Sequence, residues 1–180
     1  MRLYHGSDQA ICAPQVAFNT GFSDLGQGFY LTDDASVARS RAKARARKTG
    51  QREGVVSVFE LDEGCVAWAT WGSRGLRVEP GVTAGIFGLR FAEPPEGIVS
   101  WVNYIKACRS GHTEVPGLGS PAIVRAWIAT EEVEMACSGF VDAADLEGYF
   151  SADELVVQYC LLDQELIDQR LVFVEAQSVS

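Results

Sequence analysis

The sequence predicts an α+β fold in a single domain. Short runs of β-branched and aromatic residues at 29–32, 55–61 and 171–174 are typical of strands. Helix-forming segments lie between such runs without regular alternation, which argues against a parallel βαβ sheet. A chain of 180 residues with 47% hydrophobic content can bury one core of ordinary size, so we expect one domain over residues 1–180.

The first part of the chain predicts four strands and one helix. The strands are expected at 2–4, 29–32, 55–61 and around 65–69. Residues 8–27 read as loop, because proline and several glycines interrupt them. A helix is expected over 35–48, where strong helix formers follow one another. Asp33 or Asp34 can cap its start, and Gly50 fits its end.

The second part begins with residues 72–97, whose glycines and prolines allow no assignment. Apolar residues at helical spacing then predict an amphipathic helix over 97–109. Residues 155–162 are almost wholly apolar and predict a central strand that Gln158 interrupts. The other expected elements are a strand at 122–128, a helix from Thr130, a short helix at 142–149, a helix at 164–169 capped by Asp163, and a strand at 171–174.

Charge is distributed unevenly along the chain, whose net charge is −9. From Gly111 onward there are two basic residues against thirteen acidic ones, which argues against nucleic acid as a partner. Seven of the fifteen basic residues lie between Arg39 and Arg52. This run can be the solvated face of a helix or a contact with a phosphate or an acidic partner.

Five cysteines are spread along the chain without a Cys-x-x-Cys pair or a histidine at ligand spacing, so we expect no metal site. The apolar runs are too short for a membrane span, and no secretory signal is readable at the N-terminus. We therefore expect a cytoplasmic protein that does not insert into membranes, although delivery to another cell stays open.

Several common catalytic motifs are missing from the sequence. Gly26 and Gly28 do not continue into a dinucleotide fingerprint, and no phosphate loop is present. No Gly-x-Ser-x-Gly elbow occurs, and only His5 and His112 could serve a catalytic triad. Serine-triad and nucleotide-loop chemistry are therefore not expected, and a Cys/His hydrolase would have to use Cys108 and His112.

Two N-terminal motifs carry the functional signal. The first is Tyr4-His5-Gly6-Ser7, and the second is Gly26-Gln27-Gly28-Phe29-Tyr30-Leu31-Thr32. Together they resemble the first two motifs of ADP-ribosyltransferases of the poly(ADP-ribose) polymerase and diphtheria toxin branch. The chain is also similar, nearly from end to end, to a family of small bacterial proteins of unknown function related to that fold.

The resemblance implies two small antiparallel β-sheets, split around a cleft that binds NAD, with short helices around them. His5 would bond a ribose hydroxyl, and the backbone of Gly6 would hold the nicotinamide carboxamide. Glycine would suit that position because a side chain would block the approach. Ser7 would support the neighbouring ribose. Gly28 belongs to the second motif, and the ring of Tyr30 would stack on the nicotinamide.

The catalytic position departs from the pattern of that branch. Gln158 lies on the strand that carries a glutamate there, and an amide brings no negative charge and cannot act as a base. Glu154, Asp153 or Asp163 could supply a carboxylate from nearby, with Asp163 also suited to cap a helix.

Two arginines could contact phosphate groups. Arg41 lies near the place where the branch has a second aromatic residue, and it could meet the pyrophosphate or an acceptor. Arg109 is the weaker phosphate candidate of the two, because it also suits the C-terminal end of its own helix.

The resemblance leads us to expect an NAD-dependent mono-ADP-ribosyltransferase that modifies a protein or another macromolecule and releases nicotinamide. NAD would be its substrate, and a protein its acceptor. The main alternative is an NAD-binding or interaction module whose Gln158 reflects lost catalysis. An NAD glycohydrolase and an unrelated fold also stay open. A housekeeping role, a toxin and a delivered effector all stay open, as does the oligomeric state.

Overall fold

The structure is a computed structural model that describes residues 1–18, 23–62, 64, 66–81, 87–151 and 155–180. Nine strands and four α-helices lie within these ranges. The strands are β1 (Arg2–Ser7), β2 (Phe29–Thr32), β3 (Gly54–Leu61), β4 (Trp68–Gly72), β5 (Gly75–Val78), β6 (Gly88–Phe91), β7 (Ile123–Trp127), β8 (Val157–Leu161) and β9 (Leu171–Val179). The helices are α1 (Ala35–Thr49), α2 (Ile98–Arg109), α3 (Glu131–Cys137) and α4 (Gln164–Arg170), with short 3-10 turns at Val16–Phe18 and Ala143–Leu146.

The strands form one mixed sheet in the order β5-β4-β6-β7-β8-β2-β1-β3-β9. The expected mixture of helices and strands is thus confirmed, whereas the expected pair of separate antiparallel sheets is not what the structure contains. The pairs β4–β6 and β6–β7 are parallel, and the other neighbours are antiparallel. Both parallel pairs involve β6, which lies in the segment 72–97 that allowed no assignment from sequence.

The junction between β1 and β2 is the narrowest part of the sheet. Within the described ranges, Tyr4 and Thr32 form the one registered pair between these strands. By contrast, β1 pairs with β3 over six residues, and β2 pairs with β8 over four. The sheet is therefore continuous but opens between β1 and β2 beyond the Tyr4–Thr32 pair.

The helices lie on both faces of the sheet. The register aligns Tyr30, Cys160 and Val124 on one face, where the large core around α2 packs. The opposite face carries a second core, with Phe29, Leu31 and Leu161 packed near α4. Residues alternate between faces along each strand, so neighbouring residues of β1 and β2 meet different surroundings.

Helix α1 lies against β1 and β3 at very short range. Its contact side is formed by three alanines at helical spacing, Ala38, Ala42 and Ala46, all of them buried. Gly54 faces this side, because a Cβ there would lie 2.4 Å from the backbone of Ala42. Asp34 caps the helix by accepting from Ser36 N and Val37 N, and Gly50 ends it at φ 75°. The predicted helix and both of its ends are confirmed.

Most of the other sequence-based elements are confirmed with small shifts at their ends. Helix α2 and strand β8 agree with the predictions, and β8 lies in the middle of the sheet as expected. The first and last strands are longer than expected, reaching Ser7 and Val179. Within the described ranges, no helix combines the length and apolar composition that a membrane crossing requires.

Candidate functional site

The side chain of His5 lies where β1 and β2 separate. Its Nδ1 atom is 2.7 Å from the carbonyl oxygen of Tyr30. Continued pairing from Tyr4–Thr32 would have placed Gly6 opposite Tyr30, but that pair is not formed. The imidazole thus makes the hydrogen bond to the Tyr30 carbonyl oxygen that, in a continued ladder, would have come from a backbone N–H of β1.

The backbone of Gly6 faces the opening. Met1 and Leu61 exchange backbone hydrogen bonds at the start of the β1–β3 ladder. Hydrogen-bonded and non-bonded pairs alternate along an antiparallel ladder, so every second residue of β1 directs its N–H and C=O towards β3. Gly6 belongs to the other set. Its N–H and C=O therefore point towards β2, in the region where the β1–β2 ladder has ended.

The hydrogen bond to Tyr30 determines the tautomer of His5. A carbonyl oxygen only accepts, so Nδ1 carries the proton and donates it, and in the neutral ring Nε2 is an acceptor. Burial lowers the pKa of His5, the hydrogen bond to Tyr30 raises it, and the charges of Arg41 and Arg45 lower it again, with a net lowering. Near neutral pH the ring is uncharged and presents an acceptor nitrogen.

A cleft of about 710 Å³ opens beside His5. The first motif contributes His5, Gly6 and Ser7 to its wall, and the second contributes Gly28, Phe29 and Tyr30. The ring of Phe29 stacks on the imidazole, with centroids 4.6 Å apart and an angle of 29° between the planes. The segment from Asp8 to Ala13 forms the remaining side. The cleft has the size and the mixed polar and apolar lining of a small-molecule site.

Charged groups line one end of this cleft. Asp8 accepts a hydrogen bond from Ser7 Oγ at 3.1 Å and lies 4.0 Å from Arg45 Nε. Partial desolvation works to raise the pKa of Asp8, but hydrogen bonds from its own backbone and Ser7, together with Arg45, outweigh it and lower the pKa. Among the described residues that line the cleft, Asp8 is the one carboxylate and Arg45 the one cation.

Gly6 is required by helix packing. A Cβ at this position would lie 2.0 Å from the carbonyl oxygen of Ala38 and 2.8 Å from Ala42 N. The space that a side chain would need is therefore filled by α1. Gly28 is constrained in a similar way, because its Cβ would lie 2.5 Å from Cys160 Sγ. Contact with the helix is thus one reason for glycine at position 6, and room for a ligand stays a prediction.

The ring of Tyr30 does not lie beside His5. Its hydroxyl group accepts from Leu25 N and donates to Gly26 O, both at 2.9 Å. Burial raises the pKa of Tyr30, which keeps this phenol protonated. The side chain packs at the edge of the core around α2. Phe29 instead supplies the aromatic face next to the imidazole.

Gln158 is buried, with 3% of its surface exposed. Its Nε2 atom donates to the carbonyl oxygen of Trp127 at 2.9 Å, and its backbone is paired on both sides, with Thr32 and Ala126. Gln158 does not belong to the lining of the cleft. Glu154 and its neighbour Asp153, the other carboxylates expected here, lie outside the described residues.

Arg41 lies on the exposed side of α1, close enough for its charge to lower the pKa of His5. Desolvation by nearby protein lowers the pKa of Arg41, and the charge of Asp24 works to raise it. This setting fits an arginine near the rim of the cleft, although Arg41 is not among the lining residues.

Two other residues have structural partners. Arg109 bonds Asp24 Oδ1 through Nη2 at 2.6 Å and Glu134 Oε2 through Nη1 at 2.7 Å, so it ties the end of α2 to α3 and to the segment before β2. Asp163 accepts from Leu166 N at 2.8 Å and caps α4, as expected of a helix cap.

The sequence did not identify Phe29, Asp8 or Arg45 as residues of the cleft. Period-two alternation in the second motif was the available signal for Phe29, because 29 and 31 share one face and 30 the other. The motif alone could not say which face meets His5. Asp8 and Arg45 meet only because α1 ends beside the C-terminal end of β1.

Comparison with known proteins gives one match. The family model described as "Protein of unknown function (DUF3990)" matches residues 1–69. The match covers fewer than half of the 180 residues and includes both N-terminal motifs, α1 and β3. No curated protein and no solved structure gives a match. Over its first 69 residues, the chain is thus similar to a family of proteins whose function is undefined.

Proposed function

We propose that this protein binds NAD in the His5 cleft and transfers its ADP-ribose group to a macromolecular acceptor. One observation carries the proposal: the β1–β2 ladder ends after the Tyr4–Thr32 pair, and the next part of β1 turns a backbone donor and acceptor towards the opening. A planar carboxamide needs this combination, because it donates through nitrogen and accepts through oxygen.

The residues around the opening suit the remaining parts of NAD. Gly6 would hold the carboxamide of nicotinamide, and Nε2 of His5 would accept a hydrogen bond from a ribose hydroxyl. Phe29 fixes the plane of the imidazole from the other side. Arg45, at the charged end of the cleft, is suited to a phosphate oxygen. These roles also follow the resemblance of the two motifs to ADP-ribosyltransferases.

Cleavage of the bond to nicotinamide leaves a sugar with oxocarbenium character, which a nearby carboxylate stabilises. Asp8 is the carboxylate that the described lining offers, and its lowered pKa keeps it ionised at neutral pH. Gln158 contributes no charge and is bonded to Trp127 O within the sheet. The residues around the cleft thus support binding of NAD better than they support fast cleavage of it.

A second candidate function has an observation in its favour. A protein that binds NAD and does not cleave it needs no carboxylate at position 158. The buried amide of Gln158, with its donor used inside the fold, agrees with such a module.

NAD with a radiolabelled adenylate group, incubated with the purified protein and candidate acceptor proteins, tests both candidates. Free nicotinamide measured by chromatography, together with labelled protein, is the expected result for a transferase. A rise of the melting temperature with NAD, without either product, would indicate the binding module. No thermal shift and no product would contradict both.

The matched variants are His5→Asn and His112→Asn. Asparagine at position 5 can still donate to Tyr30 O through its amide, so the fold is kept, but it lacks the acceptor at the Nε2 position. We expect His5→Asn to lose the NAD-induced thermal shift and His112→Asn, at an exposed position, to keep it. Equal shifts in both variants would remove His5 from the site.

A further inference from the structure

The exposed side of α1 carries two rows of cations. Arg39, Lys43 and Arg47 follow one another at intervals of four residues and form the outer row. Arg41, Arg45 and Lys48 form the inner row on the other flank of the helix. All six residues are exposed, and between the rows lie the small exposed residues Ser40 and Ala44.

Within the described residues, few of these six cations have an acidic partner. Among the described residues, Arg45 is the one member of the two rows with an ion pair, at 4.0 Å from Asp8. The sequence from Ala35 to Arg52 contains no aspartate or glutamate. Most of this positive charge, in a chain of net charge −9, thus forms no ion pair within the part of the chain that the structure describes.

The backbone that carries the rows is fixed. The alanine side of α1 contacts β1 and β3 closely, and both helix ends are capped. Because the helix cannot rotate without collision, the two rows keep their spacing and direction. A partner would therefore meet a surface whose charges are already positioned, which reduces the entropy cost of association.

We infer that the outward face of α1 is a docking surface for an acidic segment of a partner protein. Ser40 and Ala44 allow another backbone to approach the helix, while arginine and lysine on both flanks reach carboxylates on either side of that backbone. The long side chains of the rows and the small residues between them form a shallow channel suited to one extended or helical segment.

Nucleic acid fits the same surface less well. The face has no aromatic side chain on which bases could stack, which binding of single strands uses. A duplex extends well beyond one helix, and the acidic remainder of this protein would repel it. A short acidic protein segment can pair with the cations of both rows without reaching the acidic rest of the protein.

The surface adjoins the cleft. Arg45 lines the cleft, and the charge of Arg41 reaches His5. A segment bound along the inner row would therefore lie at the rim of the cleft, where it would deliver an acceptor or restrict entry. Binding to this surface requires no turnover of NAD, so its test is independent of the proposed function.

The test is a titration by fluorescence anisotropy with two labelled probes, a short poly-L-glutamate peptide and a DNA duplex of similar charge. The variant Arg39→Glu/Lys43→Glu reverses two charges of the outer row. The matched control, Arg74→Glu/Arg77→Glu, reverses two exposed charges on β4–β5, at the other edge of the sheet. Neither pair lines the cleft.

We expect the wild-type protein and the control to bind poly-L-glutamate, with an affinity that falls as salt is added. Reversal of the outer row should weaken this binding by about tenfold, because two attractive contacts become repulsive. Equal loss in both variants would show a general charge effect and overturn the proposal. Tighter binding of the duplex, or no binding of the peptide, would also overturn it.

Discussion

The carbonyl oxygen of Ala38 occupies the position that a side chain on Gly6 would need, since a Cβ there would lie 2.0 Å away. Helix and strand backbones rarely come so close unless glycine stands at the contact. The placement of α1 against the sheet depends on this close approach.

Substitution of Gly6 by alanine should therefore be strongly destabilising. We expect the free energy of unfolding to fall by about 1–3 kcal/mol or more, because α1 must move away from the sheet. Chemical denaturation measures the change. Gly148→Ala is the matched control, because nothing lies within 4 Å of a Cβ at that position. Similar stabilities for the two variants would contradict the close packing.

The protonation of His5 should make stability depend on pH. Because the pKa of His5 is lowered in the folded state, the unfolded chain binds more protons below the ordinary histidine value of 6.5. The stability that the fold gains by holding the ring neutral is thus present at higher pH and is lost as the pH falls. Between about pH 7 and about pH 5, the wild-type protein should lose more stability than His5→Asn.

Urea unfolding at a series of pH values measures this difference. His112→Asn should behave like the wild-type protein, because His112 is exposed and makes no contact in the cleft. Parallel pH profiles for the wild-type protein and His5→Asn would show that the imidazole is not held neutral by the fold.

Removal of the Tyr30 hydroxyl should leave a buried donor without an acceptor. Leu25 has no exposed surface, and its N–H donates to that hydroxyl. Tyr30→Phe should cost about 1–3 kcal/mol in unfolding free energy, which thermal denaturation can follow. Tyr149→Phe is the control, because Tyr149 is 67% exposed. A neutral effect at position 30 would mean that the second motif does not depend on this hydroxyl.

A carboxylate at position 158 should destabilise the fold at neutral pH. In Gln158→Glu the charged group would face the carbonyl of Trp127 inside the sheet, which raises its pKa. Because the raised pKa favours proton binding in the folded state, the loss should shrink as the pH falls. Unfolding of Gln158→Glu and Gln158→Met at two pH values measures this, since methionine does not titrate.

The same variant informs the proposed chemistry. Release of nicotinamide by Gln158→Glu well above that of the wild-type protein would show that position 158 reaches the bound NAD. A pH-independent stability loss would instead contradict its burial against the Trp127 carbonyl.

Loss of Arg109 should loosen the junction between α2, α3 and the segment before β2. Its side chain is 29% exposed and bonds Asp24 and Glu134. Allowing for partial screening by solvent, we expect Arg109→Gln to cost about 1 kcal/mol. Arg74→Gln, at an exposed position, should be neutral in the same denaturation experiment. Equal changes in unfolding free energy for the two variants would show that the Arg109 ion pairs do not stabilise the fold.

Local sequence signals predicted the helices well because their ends carry recognisable residues. Asp34, Gly50 and Asp163 stand where the caps are found, and the apolar spacing of α2 required no knowledge of its neighbours. Strands β5 and β6 escaped prediction, since they lie in a segment interrupted by glycine and proline and are stabilised by pairing with β4 and, for β6, with β7. The single sheet could not be foreseen either, as strand order depends on contacts distant in sequence.

Sequence motifs predicted which residues meet at the cleft, but they could not predict where the side chains point. Motif residues His5, Gly6, Ser7, Gly28 and Tyr30 do meet at one cleft. The direction of each side chain depends on register between strands, which is why the stacked partner is Phe29 and the Tyr30 ring lies elsewhere. Gln158 was placed on the correct strand, but its hydrogen bond to Trp127 depends on the neighbour β7.

The order of strands has a consequence for how the cleft is made during synthesis. Residues 1–69, which contain both motifs, supply β1, β2 and β3, but the outer edges of β2 and β3 pair with β8 and β9 from the last quarter of the chain. The N-terminal segment therefore leaves the ribosome with two open sheet edges. Both edges are covered only after β8 and β9 have been synthesised and have paired with β2 and β3.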